Sequence, residues 1–546
     1  MPSDHFRLLY PDGIEPSGRN AFPDHEFIRT LQIDQMVSIG RESYRGIPDL
    51  QLERFFSCDP VVLRYRAEII EEIAASEPLQ QLIADALPMI RDVYEMRKVL
   101  NHGDGSLENG LSSTRYIEQY IELVELFRQR LEPLTPQSAG LRRLKDEILA
   151  RSESEDFKAL RRHLEDLDTR IGRIKSITLG LNLDGNLHVT DAGLVSINTA
   201  PFRQSSLMDR LLGRSGKDPM VCMSGFASIA KSSRDDERQA LDSAVHRALD
   251  VVFAKVIRSW EPVINQYYHD ETRFFVELMD DLRFLSAAVH FLLELRAHGC
   301  RFCRPVIRPV QDRALHLHNV YNPMLALKVS GEPIVANDFD YDENGRFYLV
   351  TGPNHGGKSI FCYSIGMAQA LFQLGLPVPA ERAEMSPVTG IYTHFPTSDE
   401  DNYGKGRLES ECARIGAILP RLRDTDLFLM DESFSSTSLL EGSYIAGEVL
   451  SAISEIGCGG VYVTHIHELT QRVRELSVGP GKLDNLVAQM QSVSDGTRSY
   501  RVLRTTPDGL SYARDIARKY GLSREEILQK HDQQLRGGLL NDPRTC

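Results

Sequence analysis

The chain has 546 residues, a formal net charge of −14, and apolar and charged fractions of 42% and 26%. These fractions are those of an ordinary globular protein, and the length allows about two to four domains with large cores. The acidic balance argues against wrapping of nucleic acid over the whole surface, although it is compatible with a local basic patch.

Targeting and redox features predict a cytoplasmic protein. Residues 1–27 contain charged residues and prolines without an apolar run, so no signal peptide is predicted. No stretch approaches ~18 consecutive apolar residues, so we expect no transmembrane helix and no membrane partner. The eight cysteines are scattered, and the C-x-x-C at Cys300 and Cys303 lacks a second ligand pair. This pair is therefore predicted to be structural, in a reduced setting.

Residues 1–110 are predicted to form the N-terminal part of a helical core. Asp59 and Pro60 mark a helix start, because proline suits the first turn of a helix. Residues 101–110 are rich in Gly, Asp and Asn and are predicted to be a linker.

Residues 111–308 are predicted to form helical arms that lead to a small β-rich tip near residues 176–235 and return. Apolar residues recur at helical spacing after Ile117 and again after Leu278. Between these segments, Asp184-Gly185 separates two runs of alternating apolar residues. Asp-Gly in that position is a strong hairpin signal.

The stretch from 201 to 235 is loop-like and carries more basic than acidic residues. Such a stretch is equally compatible with an ordinary solvated surface and with contact to DNA phosphates. The candidate DNA-binding residues are Arg203, Arg210, Arg214 and Lys217.

Residues 309–546 are predicted to form an α/β nucleotide-binding domain around a phosphate loop. The loop fits G-x-x-x-x-G-K-[ST] and lies between an apolar strand and a predicted helix. Its glycines let backbone N–H groups close around a phosphate, and the helix N-terminus adds partial positive charge. We expect Lys358 to contact the β- and γ-phosphates of ATP, and the Ser359 hydroxyl to bind Mg²⁺. The predicted nucleotide-binding residues are Gly352, Pro353, Asn354, His355, Gly356, Gly357, Lys358 and Ser359.

Two further apolar strands end in polar residues that complete such a site. The first delivers Asp431, a carboxylate suited to hold the metal, and Glu432, which is placed to polarise the attacking water. The second ends at Thr464-His465, where a histidine can sense the γ-phosphate. Each motif alone has an ordinary structural interpretation, whereas the three in this order are much more specific.

The run Thr351-Gly-Pro-Asn-His-Gly-Gly-Lys-Ser359 resembles the phosphate loop of the MutS family of DNA mismatch-repair ATPases, a branch of the ABC-type ATPases. Thr437-Ser438 resembles part of that family's D-loop, and Thr464-His465 its switch-histidine segment. Residues 509–513 are similar to its C-terminal Gly-x-Ser-Tyr-Gly segment. The resemblance is specific over about residues 320–528. It implies a mixed fold, in which an ABC-type head dimerises around ATP and helical lever arms carry a reduced clamp.

The family's mismatch sensor is an N-terminal domain with a Phe-x-Glu wedge. The core here begins within the first several dozen residues, so we expect this domain to be missing. Phe275-Val276-Glu277 fits the wedge tripeptide but lies in an amphipathic helical run, so it is predicted to be structural.

Three family segments are altered in this chain. The family's Gly-Arg-Gly-Thr-Ser run is Phe434-Ser435-Ser436-Thr437-Ser438 here. The family's Arg-His-Pro is Tyr321-Asn322-Pro323 here, and Tyr321 is the candidate for the aromatic residue that stacks on adenine in the family. The signature Ser-Thr-Phe is Gly406-Arg407-Leu408 here. We expect Arg407 or Lys405 either to contact the γ-phosphate from the partner subunit or to lie in solvent, with equal weight.

The favoured interpretation is a MutS-like ATPase that hydrolyses ATP with Mg²⁺ to drive a dimeric clamp on mismatched or branched DNA. An alternative is a nucleotide-switched clamp that grips a protein partner without direct DNA recognition. A transporter-type or SMC-like ATPase is disfavoured by Pro353-Asn354 and by the absence of a Leu-Ser-Gly-Gly-Gln run.

Overall fold

The computed structural model describes residues 6–14, 22–39, 49–102, 110–172, 175–186, 189–201, 203–204, 221–222, 273–329, 334–396, 407–492, 497–505 and 520–539. These residues form a mixed α and β protein, with long helices in the N-terminal half and an α/β unit in the C-terminal half. Within these ranges no helix is long and apolar enough to cross a membrane.

Two short helices precede a run of long ones. They are α1 (Glu26–Thr30), α2 (Asp34–Ile39), α3 (Pro60–Ala75), α4 (Glu77–His102), α5 (Gly110–Leu131), α6 (Ala139–Glu153) and α7 (Glu155–Gly172). Helix α3 begins where the sequence predicts, because the Asp59 side chain accepts a hydrogen bond from the Val61 amide at 2.8 Å and Pro60 occupies the first turn.

A further long helix at residues 273–297, α8, packs on this bundle through aromatic side chains. Phe275 is fully buried, and its ring centroid lies 5.9 Å from that of Tyr120 and 5.5 Å from that of Phe127. Phe55 stacks on Phe284 at 4.4 Å. Phe275 is therefore a core residue, as the helical spacing of its neighbours predicts.

The predicted hairpin is present as strands β1 (Ser176–Leu183) and β2 (Val189–Asn198), which pair in antiparallel fashion. The stretch predicted to be a loop contains a two-residue parallel pair, β3 (Arg203–Gln204) and β4 (Val221–Cys222). Arg210, Arg214 and Lys217 lie outside the described residues, and the side chain of Arg203 is likewise not described. The DNA-binding residues therefore stay a prediction.

The C-terminal half contains two sheets. The smaller has the strand order β5-β9-β6-β7 and is built from β5 (Val306–Ile307), β6 (Leu315–Val320), β7 (Asn337–Asp340) and β9 (Arg382–Met385). The larger has the order β10-β11-β12-β8-β13-β14. Its strands are β8 (Phe347–Thr351), β10 (Ile391–His394), β11 (Leu427–Asp431), β12 (Gly459–Val463), β13 (Leu483–Ser492) and β14 (Thr497–Arg504).

Five strands of the larger sheet are parallel, and β14 pairs antiparallel with β13 at the edge. Strands β8, β11 and β12 are buried along their whole length, which explains their continuous apolar sequences. The helices of this half are α9 (Pro323–Lys328), α10 (Lys358–Leu374), α11 (Arg407–Ile418), α12 (Leu439–Ile456), α13 (His467–Gln471), α14 (Val473–Leu476) and α15 (Arg524–Leu539).

The helical half and the α/β half share one apolar core, which extends from Phe6 to Val502. Leu31, directly after α1, packs so closely on α10 that a β-carbon at Gly366 would lie 2.9 Å from its side chain. The Thr30 hydroxyl lies 2.8 Å from that of Thr393 on β10. The segment around α1 is thus attached to the nucleotide-site half of the molecule, which the sequence did not predict.

Candidate nucleotide-binding site

The phosphate loop leaves the sheet at its centre. Strand β8 lies between the parallel strands β12 and β13, so the loop emerges at the carboxyl edge of the sheet, beside the ends of its neighbours. Gly352, His355 and Gly357 all have positive φ, at 132°, 57° and 87°. A β-carbon at Gly352 would lie 2.8 Å from the Ala488 carbonyl oxygen, so only glycine fits there.

Lys358 lies inside the curve of this loop. Its side chain is buried, and Nζ donates hydrogen bonds to the carbonyl oxygens of Gly352 at 3.1 Å and Pro353 at 2.9 Å. Lys358 is also the first residue of α10, so the ammonium and the helix N-terminus present positive charge to the same place. This arrangement suits a phosphate group, as the motif predicts.

Ser359 and Asp431 come together as the sequence predicts for a metal site. The Ser359 hydroxyl donates a hydrogen bond to Asp431 Oδ1 at 3.1 Å. Burial raises the pKa of Asp431 to about 6, although this hydrogen bond opposes the shift. The surroundings disfavour the negative charge of this buried carboxylate, and a cation would stabilise it. Mg²⁺ prefers oxygen ligands, and the carboxylate and the neighbouring hydroxyl supply them. Ser359 and Asp431 would hold the ion.

Glu432 and His465 form a pair at the ends of β11 and β12. His465 Nε2 lies 2.9 Å from Glu432 Oε1, and both side chains are partly exposed. Glu432 has a left-handed backbone with φ 50°, and its amide donates to the Val463 carbonyl at 2.8 Å. A glutamate in this conformation is strained, and such strain clusters at functional sites.

Lys358, Ser359 and Glu432 line a cavity of about 680 Å³. The phosphate loop from Asn354 to Ser359 forms one wall, and Glu432 lies at its edge. The rest of the lining is largely apolar and includes Leu325, Val329, Ile334, Val335, Phe361 and Tyr500. A cavity of this size, with fixed hydrogen-bond donors in one part and apolar side chains in another, suits a small molecule with a charged group and a flat ring system.

Tyr321, the predicted stacking residue, does not line this cavity. Its side chain is buried in the core, where burial and the neighbouring Cys300 raise its pKa. Tyr500 on β14 lines the cavity instead, with 48% of its surface exposed and φ 55°. Asn337 holds this strand, because its side chain donates to the Tyr500 carbonyl at 3.1 Å and accepts from the Val502 amide at 2.8 Å.

Sequence reasoning missed Tyr500 because it is distant from every motif. Its place at the cavity depends on the pairing of β13 with β14 at the sheet edge. A ring atom of Tyr500 comes within 3.4 Å of the β-carbon position of Gly357, and this proximity has no local sequence signal.

The altered signature segment is only partly described, and Lys405 lies outside the described residues. Arg407 is the first residue of α11, but its side chain lies outside the described part, so a contact with nucleotide stays a prediction. On the same helix, Glu411 accepts a hydrogen bond from the Phe434 amide at 2.9 Å. Helix α11 is therefore joined to the segment that follows Glu432.

Three features place this half of the molecule in the P-loop class of α/β proteins. They are a central parallel strand, a phosphate-type loop at the N-terminus of α10, and carboxylates on the neighbouring strand. Family comparison narrows this class, since residues 348–536 match MutS domain V and residues 58–298 match the MutS2 N-terminal domain. The chain belongs to the MutS family, in a MutS2-like form. Members of this family are ATPases.

Three relatives, each named DNA mismatch repair protein MutS, illustrate the extent of the similarity. The protein from Prochlorococcus marinus (strain MIT 9312) is 27% identical over 231 residues, which are 41% of this chain and 25% of the relative. The one from Chlorobium phaeovibrioides is 30% identical over 44% of this chain and 27% of the relative. The one from Zymomonas mobilis is 37% identical over 28% and 18%. The chain thus matches about a quarter or less of the length of these relatives.

Proposed function

We propose that this chain binds ATP with Mg²⁺ in the 680 Å³ cavity and hydrolyses it, and that the nucleotide state controls a clamp on DNA. The observation that carries the proposal is that Lys358, Ser359 and Glu432 line this cavity, and that Asp431 and His465 hold the last two by hydrogen bonds. Phosphoryl transfer depends on positioning and electrostatic stabilisation, and this set supplies donors, a metal site and a carboxylate.

Each residue has a distinct task in this proposal. The loop amides and Lys358 bind the phosphates, and the Lys358 ammonium exchanges its carbonyl partners for phosphate oxygens. Bound Mg²⁺ supplies charge neutralisation at the phosphates. Glu432 accepts a proton from the attacking water, and His465 orients the Glu432 carboxylate from 2.9 Å.

Tyr500 is proposed to bind the base of the nucleotide. Its half-exposed ring forms part of the apolar end of the cavity, with Ile334 and Leu325 among the other lining residues. Aromatic rings stack on nucleobases with a gain of roughly 1–3 kcal/mol per base. The two hydrogen bonds of Asn337 hold the strand and so fix the ring before the nucleotide arrives.

A dimer through the ATPase half is proposed on the basis of an apolar surface. Leu439, Leu440 and Tyr444 on the first turns of α12 are 66%, 78% and 69% exposed. They follow Glu432 by only a few residues, so a second copy seated there would reach the edge of the cavity. Exposed apolar groups in a contiguous patch are typical of interaction sites.

DNA is proposed as the partner because the relatives carry the name DNA mismatch repair protein. The basic residues from Arg203 to Lys217 are the candidate contacts. If they bind phosphates, neutralising Arg210, Arg214 and Lys217 together weakens DNA binding evenly across sequences and flattens its salt dependence. An unchanged salt dependence moves the contact to another part of the chain.

The test of the proposed function is ATP turnover by the purified full chain, alone and with homoduplex, mismatched or branched DNA. We expect Mg²⁺-dependent turnover that at least one DNA substrate alters, and none from a Lys358→Ala variant. The variant changes one side chain of the phosphate loop, so it controls for contaminating ATPases. Equal turnover by the two proteins contradicts the proposal, and turnover that no DNA affects contradicts its DNA part.

A further inference from the structure

A second, smaller cavity lies on the other side of Glu432. Its volume is about 80 Å³, and Asp431, Glu432, Ser433, His394, Glu411 and Arg414 are among its lining residues. Glu432 lines this cavity and the 680 Å³ cavity as well, so this residue lies between the two. A polar space of this volume has room for about two water molecules.

His394, the last residue of β10, has one unsatisfied nitrogen at this cavity. The side chain is 2% exposed, and its Nδ1 lies 2.6 Å from the Ser433 hydroxyl oxygen. Nε2 is buried and has no hydrogen-bond partner among the described residues. Buried polar atoms are rarely left without a partner, so a water molecule in the cavity is the natural one.

The surroundings determine what Nε2 offers to that water. Burial, and to a lesser extent Arg414, lower the pKa of His394 to about 3, so the imidazole is neutral and has one N–H donor and one acceptor nitrogen. The Ser433 hydroxyl can donate its one proton to Nδ1 at 2.6 Å or to the His394 carbonyl at 3.5 Å, and donation over the shorter distance leaves the proton on Nε2. We assign this tautomer because the carboxylates of Asp431 and Glu432 line the cavity and favour a donor that faces them.

We propose that His394 is a positioning residue for hydrolysis, whose Nε2–H holds a water molecule that donates a hydrogen bond to the Glu432 carboxylate. The inference rests on the proposed function, because it concerns the carboxylate that accepts the proton. His465 holds this carboxylate from one side at 2.9 Å, and the water holds it from the small cavity. A carboxylate has lone pairs for both hydrogen bonds and for the attacking water. His394 acts through Glu432 and does not touch the nucleotide.

Two substitutions separate this role from a merely structural one. His394→Asn keeps an amide near the position of Nδ1, and hence the contact with Ser433, but removes the group at Nε2. His394→Gln places its amide near the position of Nε2 and gives up the contact with Ser433. We expect His394→Asn to lower kcat about tenfold with KM for ATP within about twofold, since one lost hydrogen bond is worth about that factor. His394→Gln is expected to keep at least about half of kcat.

A structural role predicts the reverse order of the two variants, together with a lower unfolding temperature for His394→Gln. Wild-type kcat in His394→Asn overturns the inference while the proposed function stands. A wild-type protein without ATP turnover overturns the proposed function and this inference with it.

A crystal structure of the nucleotide-free protein gives a readout that is independent of turnover. We expect an ordered water within hydrogen-bond distance of residue 394 and the Glu432 carboxylate in the wild type and in His394→Gln, and no such water in His394→Asn. A small cavity without that water in the wild type overturns the inference.

Discussion

The two ends of helix α10 differ in how their polar groups are satisfied. At the N-terminal end the loop has three residues with positive φ, and the Lys358 ammonium donates hydrogen bonds to the loop carbonyls of Gly352 and Pro353. The preceding Thr351 hydroxyl is buried without a hydrogen-bond partner in the described part of the chain. This end opens on the 680 Å³ cavity.

At the C-terminal end the Gln373 side chain is completely buried and engaged on both atoms. Its amide donates to Ser57 O at 3.1 Å and to Val388 O at 2.8 Å, and its oxygen accepts from the Val388 amide at 3.1 Å. The Ser57 amide donates back to the Gln373 carbonyl at 3.0 Å. The next residue but one, Gly375, lies against Arg66 of α3.

Helix α10 therefore has an open end, at Lys358, that is suited to bind a ligand. Its closed end, at Gln373, joins two parts of the protein. A buried hydroxyl without a partner and a strained backbone are costly, and they persist where a ligand completes them. Satisfied buried groups fix a geometry. The difference predicts that changes at the N-terminal end alter nucleotide binding with little effect on stability, and that changes at the C-terminal end do the opposite.

The largest effect is expected from Lys358→Ala at the open end. The variant removes charge-assisted hydrogen bonds to the phosphates, so ATP affinity falls by roughly a hundredfold or more. The unfolding temperature changes by no more than a few degrees. Equilibrium binding of a fluorescent ATP analogue and thermal unfolding measure the two quantities. Retained affinity, or a collapse of stability, contradicts the distinction between the two ends.

At the closed end, Asp281 of α8 lies near Arg66 and provides a pH-dependent effect. Asp281 accepts a hydrogen bond from the Leu8 amide at 3.1 Å, and burial raises its pKa from 3.8 to about 6, with Arg7 and Arg66 opposing the shift. Since the folded pKa is the higher one, ionisation is disfavoured in the folded state. The loss of folding stability that Asp281 causes grows as pH rises from about 4 to about 6. Above that pH it is complete, at about 3 kcal/mol.

The stability of the wild type relative to Asp281→Asn should therefore fall by about 3 kcal/mol between pH 4 and pH 7. The variant lacks this titration and is the reference at each pH. Midpoints of urea denaturation give the difference. A difference that does not change with pH, or one that grows in favour of the wild type as pH rises, contradicts the assignment.

Gln373→Leu should destabilise the protein by roughly 2–3 kcal/mol, because the carbonyls of Ser57 and Val388 lose a donor in a buried place. ATP affinity of the folded variant should stay within about threefold. Gln81→Leu, on the exposed face of α4, is the matched control and should change stability by less than about 0.5 kcal/mol. Equal effects of the two substitutions on stability would show that the hydrogen bonds of Gln373 do not stabilise the protein.

The smallest effect is expected at the apolar end of the cavity. Tyr500→Ala should weaken ATP binding about five- to tenfold, since it removes the ring that is proposed to stack on the base. Tyr500→Phe keeps the ring and should bind within about twofold of the wild type, as should folded Tyr321→Leu, which removes a ring that lies in the core. Loss of affinity in Tyr321→Leu but not in Tyr500→Ala would restore the interpretation made from the sequence.

The sequence predicts the open end of α10 well because its information is local. The loop pattern, the apolar strands of β8, β11 and β12 and the polar residues that follow them are all short-range signals. The parallel pairing of these strands then brings Ser359 to Asp431 and Glu432 to His465.

Features that depend on long-range packing were not predictable in this way. Tyr500 reaches the cavity only through the antiparallel edge strand β14, and Gln373 meets Ser57 across 316 positions of sequence. Tyr321 carries an aromatic ring in the expected region, but the turn between β6 and α9 places that ring in the core. His394 differs from a buried structural histidine only through the cavity beside it, which no sequence pattern marks.

The most direct test of the central claim is a single-turnover measurement of ATP hydrolysis by Glu432→Gln, combined with its ATP affinity. Glutamine keeps the shape of the side chain and can still hydrogen-bond to His465, but it cannot accept the proton of the attacking water. The account predicts affinity within about threefold of the wild type and a hydrolysis rate at least about a hundredfold lower. Hydrolysis at the wild-type rate by this variant would contradict it.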